Sequence, residues 1–191
     1  GSTKIGTKTV TVTANLPSSV VPSCSISALT NTNNVFNCYA KLLSGVKVKP
    51  SASGTYGSSI SSITIEVTDK SSKSATSGTE YTFDPFSSTG SKTIKVSVKD
   101  SRGRTASTSK TITVSDYSYP TVSLSASRGD GSTVGSFVAS DTGAYAKIVS
   151  KGSVSSISGN TLTPVLQYRV NGSSAWTNLS ISTSSLSLSN T

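Results

Sequence analysis

The side chains able to do chemistry are few and thinly spread. Histidine is absent from all 191 residues. That removes Ser-His-Asp and Cys-His nucleophile systems, together with every metal site built on imidazole. Eight carboxylates remain: Glu66, Asp69, Glu80, Asp84, Asp100, Asp116, Asp130 and Asp141. Asp130 with Asp141 has the makings of a carboxylate pair or of calcium ligands, but no dense acidic loop surrounds them. Solvated charge is the simpler reading. Cys24 and Cys38 stand 14 positions apart. A hairpin of 24–29 with 33–38, centred on Asn31, sets Ile26 opposite Phe36 and Cys24 opposite Cys38, a register that admits a disulfide. Two buried thiols are the alternative in a cytosolically assembled protein. Without further Cys or His, this spacing completes no zinc site.

Three short motifs remain. Arg128-Gly129-Asp130 spells the integrin tripeptide within SRGDGS, an exposed loop by its composition; the plainer reading is a Gly-rich turn in which Asp130 bonds locally. In Asp100-Ser101-Arg102-Gly103-Arg104-Thr105, Arg102 and Arg104 offer a fork for phosphate or carboxylate. The plainer reading of the same residues is hairpin chemistry, with Asp100 starting the turn and Gly103 supplying a positive φ. Asn171 and Asn178 each open an N-x-S sequon, meaningful only in a eukaryotic secretory protein.

Charge narrows the partners. Seventeen basic residues against eight acidic give a formal +9, which favours anionic polymers and surfaces. The basic residues are dispersed and no stacking aromatics accompany them, so nucleic acid is not expected. No apolar run approaches the ~18 residues of a membrane span, so no membrane insertion is expected. The start lacks a signal peptide's charged-then-apolar plan, and Gly1-Ser2 reads as a tag remnant. No cofactor, metal or catalytic residue is expected, and the chain reads as a non-enzyme.

The elements that would carry these residues are strands. Ser and Thr fill 72 of 191 positions, yet β-branched residues alternate with them in period two, which separates this chain from a disordered one. Ile63, Ile65 and Val67 face one way, with Thr64, Glu66 and Thr68 the other; Ile94, Val96 and Val98 alternate with Lys95, Ser97 and Lys99. Val46 and Val48 alternate with Lys47 and Lys49, and Ile112 and Val114 with Thr111 and Thr113. An internal repeat sets the larger scale. KTVTVT at 8–13 returns as KTITVS at 110–115, and PSCSISA at 22–28 as PTVSLSA at 120–126. A period near ~100 with proline-punctuated links is the size of an immunoglobulin-like sandwich. The expected fold is therefore all-β, in tandem immunoglobulin-like or fibronectin-III-like β-sandwich modules. Residues 1–21 read as the final strand of a preceding module plus linker, and 22–116 as a sandwich of about seven strands. Residues 117–191 read as a second, incomplete module without a closing strand. Its strands are expected near 121–126, 144–154, 162–170 and 175–181. LQYRVNGSSAWTNLSI forms a hairpin turning at Asn171–Ser174, Leu166, Tyr168 and Val170 share a face, and Trp176 is placed to pack on the core.

VSVKDSRGRTASTSKTITV followed by a Tyr- and Pro-containing link resembles the repeating immunoglobulin-like modules of siphophage tail structural proteins. Those of phages infecting streptococci and related Gram-positive bacteria are most similar. GAYAKIVSKGSVSSISGNTLTPVLQYRVNGSSAWTNL resembles a second module type that follows in such proteins. The resemblance covers roughly 55–191; Cys24, Cys38 and TNTNNVFNCYA fall outside the pattern. It implies a virion component at the tail or tail tip, concerned with host attachment, whose partners are other tail proteins and Gram-positive wall polysaccharide or teichoic acid. It carries over no catalytic residue. On the residues themselves, Lys47 and Lys49 with Arg102 and Arg104 are the candidate contacts for an anionic polymer. Lys95 and Lys99 rank lower because Glu66 is expected beside them. A bacterial surface adhesin with tandem immunoglobulin-like repeats, an accessory domain of a glycan-processing enzyme and a pure spacer without ligand are the competing readings.

Overall fold

The computed structural model describes residues 1, 6–13, 15–133, 135–157, 159–179 and 187–190. Among them every regular element is a strand, as the period-two pattern requires. The chain divides into two compact units. One comprises Gly1–Thr30, Lys47–Phe83 and Lys92–Thr111; the other comprises Asn31–Val46, Asp84–Ser91 and Ile112–Thr191.

The first unit holds a sandwich. β1 (Ser23–Asn31), β3 (Val46–Ser53) and β6 (Tyr81–Phe83) form one sheet in the order β1-β3-β6. The other sheet runs β5 (Lys73–Ala75), β4 (Ile60–Val67), β7 (Gly90–Asp100), β8 (Thr105–Ser115). The antiparallel β4–β7 register sets Ile63 against Val98, Ile65 against Val96 and Val67 against Ile94. All six are buried, along with Ile26, Val48 and Phe83 of the opposite sheet. Each fully buried Val, Ile or Phe side chain contributes on the order of 1.5–3 kcal/mol of transfer free energy, so these two inward rows dominate the unit's stability. Side-chain bonds cross between the sheets: Lys110 Nζ donates to the Ile26 carbonyl at 3.4 Å, and the Cys24 thiol to the Val96 carbonyl at 3.4 Å. Two inward positions of β7 are charged, Lys92 and Asp100. Lys92 is buried and its ammonium meets Asp69 Oδ2 at 2.6 Å, the pairing that a buried cation needs.

Within the second unit, β2 (Tyr39–Ala40) runs parallel to the end of β8, Tyr39 against Val114 and Ala40 against Ser115. Ala40 shares a small core with Tyr117 and Ile157, flanked by Phe36, Cys38 and Leu43. That cluster explains why 31–46 groups with residues beyond 112 rather than with its sequence neighbours. Ser44 is fully buried; its hydroxyl accepts from Ala40 N–H and donates to the Asn33 carbonyl, each at 2.9 Å. Further along, β9 (Thr121–Asp130), β10 (Val138–Ala139), β11 (Tyr145–Ser153) and β14 (Ser187–Asn190) form a sheet in the order β10-β9-β11-β14. β12 (Leu166–Tyr168) and β13 (Thr177–Leu179) form a separate antiparallel pair.

Several expectations change here. The 24–29/33–38 hairpin does not form, because β1 pairs with β3. Cys24 and Cys38 are both free thiols. The segment 117–191 does end in a strand, since β14 pairs with β11, Ser150 against Leu188. Residues 8–13 are in no strand, and Val10 and Val12 are exposed. Ser2 of the tag remnant, and 180–181 of the expected last strand, lie outside the described residues.

Candidate functional site

The two arginines of the DSRGR turn are committed to the protein itself. Asp100, 1% exposed, ends β7 and accepts at Oδ1 from the N–H groups of Arg102 (3.0 Å) and Arg104 (2.8 Å). Gly103 donates to the Asp100 carbonyl at 2.9 Å and adopts φ +83°, the left-handed geometry such a turn demands. Burial works against the Asp100 charge, but the Arg104 N–H, the Ser58 hydroxyl, the Arg102 N–H and the Arg102 charge outweigh it and bring the carboxyl below its ordinary value. With the turn so fixed, the Arg102 guanidinium donates to the carbonyls of Thr55 (3.2 Å) and Tyr56. Arg104 reaches back to the carbonyls of Leu16 (2.9 Å) and Val20. The turn is the one the hairpin reading expects, and both arginines of the expected anion fork donate to backbone carbonyls, Arg102 from an exposed position.

Lys47 and Lys49 point outward from β3, as alternation requires, but their charges are not equivalent. Lys47 Nζ lies 3.3 Å from Glu80, whereas Lys49 is exposed and forms no ion pair among the described residues. On the other sheet the register sets Glu66 against Lys95, and their charges meet at 3.5 Å. Lys95 and Lys99 flank a shallow groove over β4, β7 and β8 lined mostly by hydroxyls, those of Ser62, Thr64, Ser97, Thr105 and Ser107, with Val98 and Ala106 adding an apolar share. Such a surface offers many hydrogen-bond donors and acceptors with a positive bias, and no enclosed cavity.

Arg128-Gly129-Asp130 is not a loop. It ends β9, with Ala146 opposite Arg128 and Tyr145 opposite Gly129. Arg128 Nε donates to the Gly143 carbonyl. A Cβ on Gly129 would stand 2.2 Å from the Val138 carbonyl oxygen, so glycine is required by close backbone approach. Among the described residues no three His, Cys, Asp or Glu side chains gather to hold a metal. Among the described residues no helix is long and apolar enough to cross a membrane.

The alternation missed one surface. Trp176, expected in the core, is 57% exposed. The hairpin itself is as expected, with Leu166 against Leu179 and Tyr168 against Thr177 and Gly172 at φ +85° in its turn. Leu166 is buried while Tyr168 and Val170 of the same row stay exposed. The turn signal Asn171-Gly172 was readable; which face of so short a hairpin finds a partner was not.

No curated protein sequence matches the chain. A solved chain from the carbohydrate-binding modules of the β-sandwich superfamily aligns with 14% identity and a TM-score of 0.39, over 69% of this chain and 56% of its own length. A family model described as siphovirus protein of unknown function (DUF859) matches residues 1–178. The chain belongs to that siphovirus protein family.

Proposed function

We propose that this chain is a non-enzymatic structural and adhesive segment of a siphophage tail, built of tandem immunoglobulin-like sandwiches and engaged in attachment to a Gram-positive cell surface. Its partners are then other tail proteins and the anionic glycopolymers of the wall. Membership of the siphovirus family over residues 1–178 carries this reading. The surface chemistry supports it: an excess of nine positive charges, hydroxyl-lined sheet faces, and lysines at Lys49 and Lys99 whose charges are not paired among the described residues. Such faces suit weak contacts repeated along a polymer, where effective concentration replaces single-site affinity. Arg102 and Arg104 rank below these lysines in the proposed surface, since each gives guanidinium donors to backbone carbonyls.

The test is co-sedimentation of the purified chain, singly and in multivalent display, with isolated Gram-positive walls before and after removal of their anionic polymers. Binding that disappears with the polymers and weakens from low to physiological salt is expected, because exposed charges are screened over about 8–10 Å. No binding at any salt, even in multivalent form, makes the chain a spacer.

A further inference from the structure

The β12–β13 hairpin presents four exposed side chains on one face. Gln167 stands opposite Asn178, and the same register carried one step past Tyr168–Thr177 brings Arg169 opposite Trp176. Residues two apart on a strand share a face, so the two pairs form one row. The amides bond to each other, Gln167 Nε2 to Asn178 Oδ1 at 2.8 Å. The Arg169 guanidinium carbon lies 5.0 Å from the centre of the indole, within cation–π range. An exposed indole at 57% on a two-stranded ribbon is an apolar surface left in water, and beside it stand groups that recognise hydroxyls.

The four arginines of the chain differ in one respect. Arg102, Arg104 and Arg128 donate their side-chain N–H groups to backbone carbonyls. Among the described residues Arg169 donates to no protein acceptor, so its fork is open for a ligand. The local charge is also one-sided: residues 142–191 contain Lys147, Lys151 and Arg169 and not one Asp or Glu.

We propose that Gln167, Arg169, Trp176 and Asn178 form a subsite for an anionic saccharide unit. The apolar C–H face of the sugar ring stacks on the Trp176 indole, the two amides exchange hydrogen bonds with ring hydroxyls, and Arg169 pairs with a phosphate or carboxylate borne by the same unit. A planar guanidinium matches either anion in bidentate fashion. This site deepens the wall-glycan reading and rests on it.

Trp176 is the sole tryptophan, so the chain's indole emission reports on this site alone. The chain is titrated at low salt with a soluble glycerol-phosphate wall polymer, a uronate-bearing polysaccharide and a neutral polysaccharide, and wall co-sedimentation is run in parallel. A saturable change in emission with the phosphate or the uronate polymer is expected; which of the two responds identifies the anion. Trp176→Ala and Arg169→Gln are each expected to weaken wall binding about tenfold or more, the scale of an anchoring aromatic or Arg. Trp176→Phe, which keeps an aromatic face, stays within about threefold and shows that the hairpin still folds. Arg169→Gln also flattens the salt dependence. If walls bind while the emission is unmoved and Trp176→Ala binds as the wild type does, the hairpin site is wrong and the wall reading stands. Equal response to the neutral polymer removes the role of Arg169. Absence of wall binding at any salt overturns both.

Discussion

Two aspartates hold their protons loosely for local reasons, and that fixes the sign of the acid response. Asp100 is stabilised as an anion by the N–H groups of its own turn, and Asp116 by the Lys41 ammonium at 2.6 Å. Both carboxyls are lowered in the folded chain, so the stability they lend is complete above the unfolded value near about 3.9 and is lost as pH falls through the folded values. The urea midpoint is expected to drop between about pH 5 and about pH 2, and to drop less in the double variant Asp100→Asn, Asp116→Asn, which starts lower at neutral pH. An equal fall in both proteins contradicts the assignment. The cysteines give a second residue-scale expectation. Burial pushes the Cys24 thiol up from its ordinary value, only partly offset by a backbone hydrogen bond at Thr108, so its thiolate fraction near neutral pH is small. With both thiols free, unreduced protein is expected to yield two reactive thiols on denaturation, and Cys24 to label about tenfold or more slowly when native. One blocked pair after denaturation points instead to the disulfide.

At the scale of elements, legibility in the sequence followed the strength of the period. Where Ile63, Ile65, Val67 and Ile94, Val96, Val98 alternate with polar residues, strand, face and even the Glu66–Lys95 neighbourhood were all readable, because one side of each strand must be buried. TNTNNVFNCYA has no period at all. Its place is set by Ala40 bridging beside the end of β8 and by packing around Tyr117 and Ile157, long-range contacts that no local pattern announces. The register for Cys24 and Cys38 failed for the same reason: a hairpin was the nearest partner in sequence, while β1 found β3. The DSRGR segment was legible as a turn, but the destination of its guanidinium groups was not, since Leu16 and Val20 lie more than eighty residues away. From this geometry Arg104 holds the chain that enters the sandwich. Arg104→Ala is expected to raise amide exchange and protease cleavage across 15–21 while costing the sandwich no more than about 2 kcal/mol, the scale of hydrogen bonds from a charged donor. Arg104→Lys does not restore protection, because a single ammonium lacks the planar fork that spans two carbonyls. Unchanged exchange at 15–21 in the alanine variant refutes the clamp.

For the molecule as a whole, the net charge of +9 overstates what an anionic polymer meets on the sandwich faces. Lys47 is shared with Glu80 and Lys95 with Glu66, and all four side chains are roughly half exposed. Ion pairs this exposed contribute about 0–1 kcal/mol to stability, so breaking them leaves folding nearly untouched. Their effect on a charged partner is larger, because each glutamate sets a negative charge against a lysine that would otherwise attract it. Glu66→Gln with Glu80→Gln keeps side-chain shape and raises the net charge by two, uncovering Lys47 and Lys95 in place. If wall binding is electrostatic and spread over the sheet faces, the double variant binds walls about threefold or more tightly than the wild type at ~10 mM salt. The two proteins converge as salt approaches ~1 M, where the screening length shrinks to about 3 Å. The complementary variant Lys49→Glu, at a lysine with no ion pair among the described residues, weakens binding under the same low-salt conditions. Co-sedimentation against a salt series, with thermal melts as a folding control, reads both. Should the glutamine variant bind no better at low salt while Trp176→Ala abolishes binding, attraction to the wall resides in the hairpin, and the lysines on the sheet faces serve solubility alone.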